Sequence, residues 1–338
     1  MKRLLVLNRI AHREGQSQFA AAGWEVTALR ANPDPAPEDP ASAEALSNAD
    51  ALYVSLPGRA TRELIARMPS LRVISVAGAG YQNIDIAAAT EAGVAVVNQS
   101  GVGHVAVAEH MVALLLALSR RIVTAHNAMA ADGWRSRGAF ERRMSDGFGT
   151  VVAGKVAGIV GLGNIGAYLA RSLALGLAMK VTAYSPATPQ QKFDELGVQR
   201  VTDIDSLCRQ SDFVLVVTNY TPAKHHLIGA AQIAAMKPTA MLVNAGRGAL
   251  IDQQALYAAL KDEKIAGAGL DVFDPEPTLD GDPLLKLDNV VVTPHLAGLA
   301  DEVQVALVRS AVTQCGQVLA GERPPRLVNP EVWDKRRS

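Results

Sequence analysis

Short apolar runs rich in β-branched residues alternate with longer stretches of helical periodicity along the whole chain. The apolar runs predict strands at 4–7, 51–55, 73–77, 94–98, 155–161, 180–185, 213–217, 241–244, 267–272 and 290–293. The helical stretches predict helices at 41–47, 107–130, 167–178 and 301–319. Strands that alternate with helices in this way pair in parallel, so the pattern indicates an α/β fold. The proline-rich stretch at 31–40 is predicted to be an exposed loop.

One junction in this pattern carries a motif, because the strand at 155–161 runs directly into Gly161-Leu162-Gly163-Asn164-Ile165-Gly166 and then a helix. Gly161 permits a tight turn, Gly163 lets a ligand approach the backbone, and Gly166 lets the helix pack on its strand. The free N–H groups and positive dipole end of such a helix attract phosphate. The motif predicts a dinucleotide pyrophosphate site, and the alternative is a tight turn without a ligand.

Composition narrows the class of partner. A chain of 338 residues, 49% of them hydrophobic, suggests about two globular domains. A formal net charge of zero and an aromatic content of 4% favour a small-molecule partner over nucleic acid or a membrane surface. The N-terminal apolar run is too short for a signal peptide. Cys208 and Cys315 lack disulfide or metal-ligand spacing, so we expect a cytoplasmic protein without a metal site.

Three ionisable residues follow predicted strand ends, where open α/β sheets bind ligands. They are Arg247, Glu276 and His295, and each taken singly also fits an ordinary surface or loop residue. Several motifs around them resemble those of the D-isomer-specific 2-hydroxyacid dehydrogenase family across essentially the whole chain. The matching stretches are AVAEH at 106–110, GLGNIG at 161–166, VNAGRG at 243–248, GLDVF at 269–273, PEP at 275–277 and TPH at 293–295.

The resemblance implies a fold, an activity and a set of site residues. The implied fold has two Rossmann-like, doubly wound parallel-sheet domains: a discontinuous substrate-binding domain of residues 1–99 and 297–338, and a dinucleotide-binding domain of residues 100–296. The implied catalytic trio is Arg247, Glu276 and His295, and the spacings of 29 and 19 residues between them match the family pattern. The implied cofactor residues are Gly161, Leu162, Gly163, Asn164, Ile165, Gly166, Ser185, Thr218, Ala245, Asp271 and Gly298, with a buried structural role as the alternative for Asp271.

Elementary chemistry agrees with the trio. Reduction of a 2-oxo acid by hydride leaves negative charge on the carbonyl oxygen, which needs a proton and a cation. His295 is expected to supply the proton, and a neighbouring Glu276 to favour its imidazolium form near neutrality. Arg247 offers a planar donor fork for the carbonyl oxygen and the substrate carboxylate. The small residues at 77–80 (Ala77, Gly78, Ala79 and Gly80) follow a strand and are expected to bind that carboxylate through backbone N–H groups, unless they form an ordinary turn.

Ser185 bears on the cofactor. NAD-selective sites usually have Asp or Glu about twenty residues past the glycine turn, where this chain has Ser185. Without that carboxylate a 2′-phosphate is not repelled, yet Pro186 and Ala187 follow where an arginine is often found. The sequence therefore leans to NADP(H), with NAD(H) or dual use as the alternative. Asn219 and Lys224 also depart from the proline and threonine common in the family.

The sequence leaves alternatives for the substrate and for the oligomeric state. The absence of phosphate-binding arginines at Ser55 and Pro57, although Arg59 could compensate, favours glyoxylate or hydroxypyruvate over the phosphorylated substrate of D-3-phosphoglycerate dehydrogenases. A cofactor-sensing scaffold that resembles the C-terminal-binding-protein corepressors is a further alternative. The helix at 107–130 is apolar nearly all round, which predicts a homodimer, with complete burial of the helix within the monomer as the alternative. The Arg-rich segment at 132–149 is either a solvated loop or a contribution to a neighbouring subunit's pocket.

Overall fold

The computed structural model describes residues 2–7, 13–29, 40–55, 58–136 and 149–337. The chain divides by its contacts into two units, one of residues 1–103 with 299–338 and the other of residues 104–298. Each unit is built on one parallel sheet, which confirms the predicted α/β class with two parallel-sheet domains. The predicted loop at 31–40, up to residue 39, and residues 137–148 of the Arg-rich segment lie outside the described residues.

The strands and helices are numbered in chain order. The strands are β1 (Lys2–Leu7), β2 (Trp24–Leu29), β3 (Ala51–Val54), β4 (Val73–Val76), β5 (Ala95–Val97), β6 (Val156–Val160), β7 (Lys180–Tyr184), β8 (Gln199–Arg200), β9 (Phe213–Val216), β10 (Met241–Asn244), β11 (Gly267–Leu270) and β12 (Val290–Val292). The helices are α1 (Arg13–Ala21), α2 (Pro40–Asn48), α3 (Arg62–Ala66), α4 (Ile86–Glu91), α5 (His104–Ser119), α6 (Ile122–Asp132), α7 (Asn164–Arg171), α8 (Gln190–Leu196), α9 (Ile204–Gln210), α10 (Ala230–Ala235), α11 (Gln253–Lys261) and α12 (Asp301–Leu319). None of these helices is long and apolar enough to cross a bilayer.

The first unit has a five-stranded sheet in the order β2-β1-β3-β4-β5. Its strands are covered on both faces, because alternate residues of β1 enter different cores: Leu5 packs in the core with α3 and α4, and Leu4 in the core with α1 and α12. Burial on both faces explains the near-continuous apolar runs of β3 and β4. The helix predicted at 301–319 is α12, which packs on β4, β5 and α1.

The second unit has a seven-stranded sheet in the order β12-β11-β10-β9-β6-β7-β8. The chain adds β7 and β8 on one side of β6 and then β9 to β12 on the other. The strand order therefore reverses between β6 and β9. Such a reversal opens a crevice at the carboxyl ends of the strands, which is where doubly wound sheets bind their ligands.

The helix predicted at 107–130 is two helices, α5 and α6, so that prediction was wrong in its continuity. Arg121 lies between them with φ 51°, in the left-handed region. The carbonyl of Ser119, at the end of α5, accepts a hydrogen bond of 2.6 Å from the N–H of Thr150. Periodicity does not report this break, because both helices are apolar and the segment that caps α5 lies about thirty residues further along the chain.

Candidate active site

The glycine turn joins β6 to α7, which begins at Asn164, three residues before the predicted start. Gly161 has φ 105°, and a Cβ there would lie 2.9 Å from the backbone of Thr218. A Cβ on Gly166 would overlap the carbonyl oxygen of Gly161, whereas Gly163 faces open space and is the N-cap of α7. The three glycines therefore meet the geometric needs predicted for them: a turn, a close helix packing and an open approach.

The open side of this turn exposes backbone N–H groups. Gly163 and Asn164 are exposed, and the N–H groups of the first helical turn have no intrahelical acceptor. Ile165 follows them half-buried, and Leu162 is buried with its N–H donated to Oγ of Ser185 at 3.1 Å. The exposed N–H groups are consequently the ones that could hold a phosphate, while Leu162 connects the turn to the end of β7.

Thr218 lies against the glycine turn and is bound to the two residues that depart from the family pattern. Nζ of Lys224 donates to Oγ1 of Thr218 at 2.9 Å, and to the carbonyl and side-chain oxygens of Asn219 at 3.1 and 3.0 Å. Burial lowers the pKa of Lys224. Asn219 and Lys224 are thus hydrogen-bonded to each other, and these contacts hold the ammonium group of Lys224 beside Thr218.

Arg247 lies in the loop that follows β10. Asn244 shapes this loop, since its side chain accepts the N–H of Gly246 at 3.0 Å and donates to the carbonyl of Arg247 at 3.0 Å. Nη1 of Arg247 donates to the Gly246 carbonyl at 2.7 Å. Burial lowers the pKa of Arg247 and the charge of Glu276 opposes that effect, so the guanidinium keeps its charge. Ala245, half-buried in the same loop, donates its N–H to the carbonyl of Val216 at 3.3 Å.

Glu276 and His295 form a hydrogen-bonded pair. Nδ1 of His295 lies 2.8 Å from Oε2 of Glu276, and the other carboxylate oxygen accepts the N–H of Phe273 at 2.8 Å. Burial alone would raise the pKa of Glu276. The hydrogen bonds from His295 and Phe273, with the charges of His295 and Arg247, outweigh that effect and lower the pKa below its ordinary value. Glu276 is therefore ionised at neutral pH, and about a third of each side chain remains exposed.

The backbone of His295 is held in an uncommon conformation. Its φ is 55°, in the left-handed region that residues with a side chain rarely occupy. The N–H of His295 donates to the carbonyl of Asp271 at 2.9 Å, which stabilises this turn. Strained residues of this kind concentrate at functional sites, because the surrounding structure must hold them there.

The buried carboxylate of Asp271 stabilises the turn that carries His295. Its carboxylate accepts Oγ1 of Thr293 at 2.6 Å and the N–H groups of Leu296 and Ala297 at 2.7 and 3.0 Å, and the side chain is 1% exposed. His110, at the end of the AVAEH stretch, lies 2.9 Å from Oγ1 of Thr293. These contacts agree with the alternative given for Asp271, a buried structural aspartate, and its contact with a cofactor stays a prediction.

In the first unit, the residues at 77–80 follow β4. The N–H of Ala77 donates to the carbonyl of Val54 at 2.8 Å and so belongs to the sheet. The carbonyls of Gly78 and Ala79 accept hydrogen bonds of 2.8 Å from the backbone of Gln99 and the side chain of Asn98. Within the described part of the chain, the N–H groups of Gly78, Ala79 and Gly80 donate to no acceptor. Three of the four predicted donors are therefore available to an anion, and that of Ala77 is not.

Sequence reasoning missed the roles of some residues, and the contact of Gly298 with a cofactor stays a prediction. The support that Thr293 and His110 give to Asp271 went unnoticed, although both lie in motifs quoted above. Arg200, on the two-residue strand β8, was overlooked because so short a strand has no periodicity to detect. Gly298 ends the second unit, and a Cβ on it would come no closer than 4.0 Å to Val107, so packing does not require its glycine.

A family model described as the NAD binding domain of D-isomer specific 2-hydroxyacid dehydrogenases matches residues 112–297. A glyoxylate reductase of Korarchaeum cryptofilum is 40% identical over 289 residues, which cover 86% of this chain and 85% of the relative. A D-3-phosphoglycerate dehydrogenase of Methanocaldococcus jannaschii is also 40% identical, over 286 residues and 85% of this chain. The match spans 53% of that relative, so the chain corresponds to about half of its length.

Among solved structures, an NADPH-dependent glyoxylate/hydroxypyruvate reductase from Sinorhizobium meliloti, in complex with NADP and malonate, superposes with a TM-score of 0.84. The alignment covers 100% of this chain and 99% of that chain at 25% identity. The aligned residues include both parallel-sheet units.

Proposed function

Because this chain belongs to the D-isomer-specific 2-hydroxyacid dehydrogenase family, we propose that it reduces glyoxylate to glycolate or hydroxypyruvate to D-glycerate. Family membership makes it an NAD(P)-dependent oxidoreductase of 2-hydroxy acids. The observation that carries the catalytic part of the proposal is the 2.8 Å pair of His295 and an ionised Glu276, which interact with the charge of Arg247. A proton donor and a fixed cation are the two groups that carbonyl reduction needs.

Each catalytic side chain has a separate role in the reduction. The bound nicotinamide cofactor supplies the hydride that forms the new C–H bond. Glu276 occupies Nδ1 of His295, which leaves Nε2 to hold the proton that passes to the carbonyl oxygen as the C=O double bond becomes a single bond. Arg247 stabilises the charge that develops on that oxygen. Solvent then restores the proton on His295, and the reverse sequence oxidises the hydroxy acid.

The remaining site residues are also proposals. The N–H groups of Gly78, Ala79 and Gly80 bind a carboxylate, since all three lack an acceptor within the described part of the chain and successive free N–H groups attract anions. Gly163 and Asn164 bind the pyrophosphate, with Thr218 and Ala245 beside the same strand ends. The exposed part of Ser185 and Thr188 receives the adenosine ribose.

A spectrophotometric screen tests the function. Purified protein is assayed with NADH and NADPH against glyoxylate, hydroxypyruvate, pyruvate, phenylpyruvate and phosphohydroxypyruvate. We expect kcat/KM to be highest for glyoxylate or hydroxypyruvate. A preference for phosphohydroxypyruvate would show the activity named for the M. jannaschii relative instead. Dinucleotide binding without turnover of any acid would indicate a cofactor-sensing scaffold.

We expect Glu276→Gln to shift the pH profile of reduction. Glu276 carries its charge throughout the neutral range because its pKa is lowered, and its Oε2 lies 2.8 Å from Nδ1 of His295. A negative charge at this distance stabilises a cationic proton donor. Its removal should move the alkaline limb of the kcat profile to lower pH by about one unit. Initial rates between pH 5 and pH 10 measure this limb, and a superimposable profile would contradict the pairing.

Cofactor preference is tested at the end of β7. We expect the native enzyme to use NADPH at least as well as NADH, because no carboxylate stands at Ser185. Ser185→Asp should lower kcat/KM for NADPH by about tenfold or more through charge repulsion, and change it little for NADH. Ser185→Ala is the matched control, since it removes the hydroxyl without adding charge. A strong preference of the native enzyme for NADH would refute the idea.

The apolar surface of α5 is largely covered within its own unit, which corrects the reason first given for a dimer. Met111, Leu114, Leu115 and Leu118 are buried against the sheet and α7. The proposal of a homodimer now rests on α6, where Ile122, Val123 and Met129 are exposed. Light scattering should report about twice the chain mass of 35.6 kDa.

A charge on this helix face should separate the subunits. Ile122 is 53% exposed, and Ile122→Asp is expected to yield a monomer because it places a carboxylate in an apolar contact. Leu175→Asp is the matched control, since Leu175 is 86% exposed on a different segment of the same unit. A native monomer, or a dimer that is unaffected by Ile122→Asp, would rule out α6 as the interface.

A further inference from the structure

The sequence places no arginine beside Ser185, but the fold brings one there from another strand. β8 pairs in parallel with β7, and Arg200 is in register with Ala183, two residues before Ser185. Nη2 of Arg200 donates to the carbonyl of Pro186 at 3.2 Å. The guanidinium is therefore at the turn that follows β7, although it is fifteen residues away along the chain.

Arg200 is held at this turn by packing as well as by its hydrogen bond. Its guanidinium carbon lies 5.1 Å from the ring centroid of Phe193, which is fully buried on α8. A cation over an aromatic face is attracted by the ring and loses part of its freedom. The head group is thereby oriented before any ligand arrives.

Most of the binding capacity of this guanidinium is unused. Arginine has five N–H donors, and Pro186 takes one of them. Across the described ranges, no other acceptor is bonded to Arg200 and no carboxylate forms an ion pair with it. A planar fork with free donors and an uncompensated charge is suited to a phosphate group.

The same turn presents two hydroxyl groups. Oγ of Ser185 and Oγ1 of Thr188 lie 2.9 Å apart, and the N–H of Thr188 closes the turn on the Ser185 carbonyl at 3.1 Å. Leu162 connects Ser185 to the glycine turn. In doubly wound dinucleotide sites the adenosine ribose lies at the end of this second strand. The 2′ position would thus face hydroxyls and a guanidinium, and Ser185 carries no charge that would repel a phosphate.

We propose that Arg200 binds the 2′-phosphate of NADP(H), with Ser185 and Thr188 as hydroxyl partners, and so determines the preference for the phosphorylated cofactor. This inference rests on the proposed function only in that the glycine turn binds a dinucleotide. It does not depend on which 2-oxo acid is reduced. The competing explanation is that Arg200 merely braces the turn through Pro186.

Equilibrium binding separates the two explanations. Calorimetric titration of native protein, Arg200→Gln and Arg200→Lys with NADP⁺ and with NAD⁺ gives each Kd without catalysis. Glutamine removes the charge and is shorter than arginine, so the NAD⁺ titration of the same variant reports any effect of losing the contact with Pro186. Arg200→Gln should raise the Kd for NADP⁺ by about 10- to 100-fold and that for NAD⁺ by less than about twofold. Arg200→Lys, which keeps the charge and loses the fork, should fall between native protein and Arg200→Gln.

Arg209→Gln is the matched control. Arg209 lies on α9 of the same unit and pairs with Asp203, so its loss changes the net charge equally without touching the turn. It should leave both Kd values unchanged. Equal weakening of NAD⁺ and NADP⁺ in Arg200→Gln would show a brace, and unchanged NADP⁺ affinity would show no role; either result overturns the proposal. If the native protein binds NAD⁺ but not NADP⁺, the role of Arg200 is refuted and the proposed function is not affected. If the native protein binds neither cofactor, the role of Arg200 and the proposed function are both refuted.

Discussion

His295→Ala should lower kcat by about 10²- to 10⁴-fold, which is the usual contribution of a general acid. The imidazole is the group paired with Glu276 at 2.8 Å, and without it no side chain of this pair can deliver a proton to the carbonyl oxygen. The Kd for NADPH should change by less than about twofold, because His295 is not among the residues proposed to hold the dinucleotide. Steady-state kinetics and a binding titration on the same preparation measure both quantities.

The backbone of His295 offers a second reason to expect a clean result. Alanine occupies φ 55° less readily than histidine, but the N–H bond of residue 295 to the Asp271 carbonyl is retained, so the turn should persist. A kcat within about threefold of native in His295→Ala would remove this residue from the mechanism.

Features that depend on residues close together in the sequence were predicted correctly. The glycine turn was predictable from its motif, because the positive φ of Gly161 and the close approach of Gly166 to the Gly161 carbonyl both arise within one short segment, while Gly163 faces open space. The α12 helix was predicted at its observed bounds, because its periodicity and N-terminal Asp301 lie in one stretch. Family motifs led to the catalytic trio, and the observed contact of Glu276 with His295 is consistent with the assigned roles.

Features that depend on distant segments were not predictable. The break between α5 and α6 involves Thr150, which no local pattern links to Ser119. Arg200 reaches Pro186 only because β8 pairs with β7, and strand adjacency is a property of the sheet rather than of either segment. Lys224 and Asn219 looked like two separate departures from the family until their contact was visible. Each of these unpredicted features is a tertiary contact, and the periodicity of a sequence does not report tertiary contacts.

A tertiary contact of Gly248 leads to the second prediction of large effect, which concerns Gly248→Ala. The backbone of Gly248, next to Arg247, touches the backbone that leads to Glu276. A Cβ on Gly248 would overlap the carbonyl of Phe273. Neither partner is the flexible end of a side chain, so a methyl group must push the two loops apart. The φ of Gly248 does not require glycine, and the close approach alone explains the residue.

We expect Gly248→Ala to destabilise the protein by about 1–3 kcal/mol, the usual cost of overpacking, and so to lower Tm by about 2–12 °C. Because the displaced loops carry Arg247 and Glu276, kcat/KM should also fall by about 10²-fold, as misplacement by about 1 Å can cause. Gly176→Ala is the control, since a Cβ there meets nothing within 4 Å. Calorimetry and steady-state kinetics on both variants decide the matter. Native Tm and native kcat/KM in Gly248→Ala would mean that the loops move apart freely, and that their contact does not position the catalytic groups.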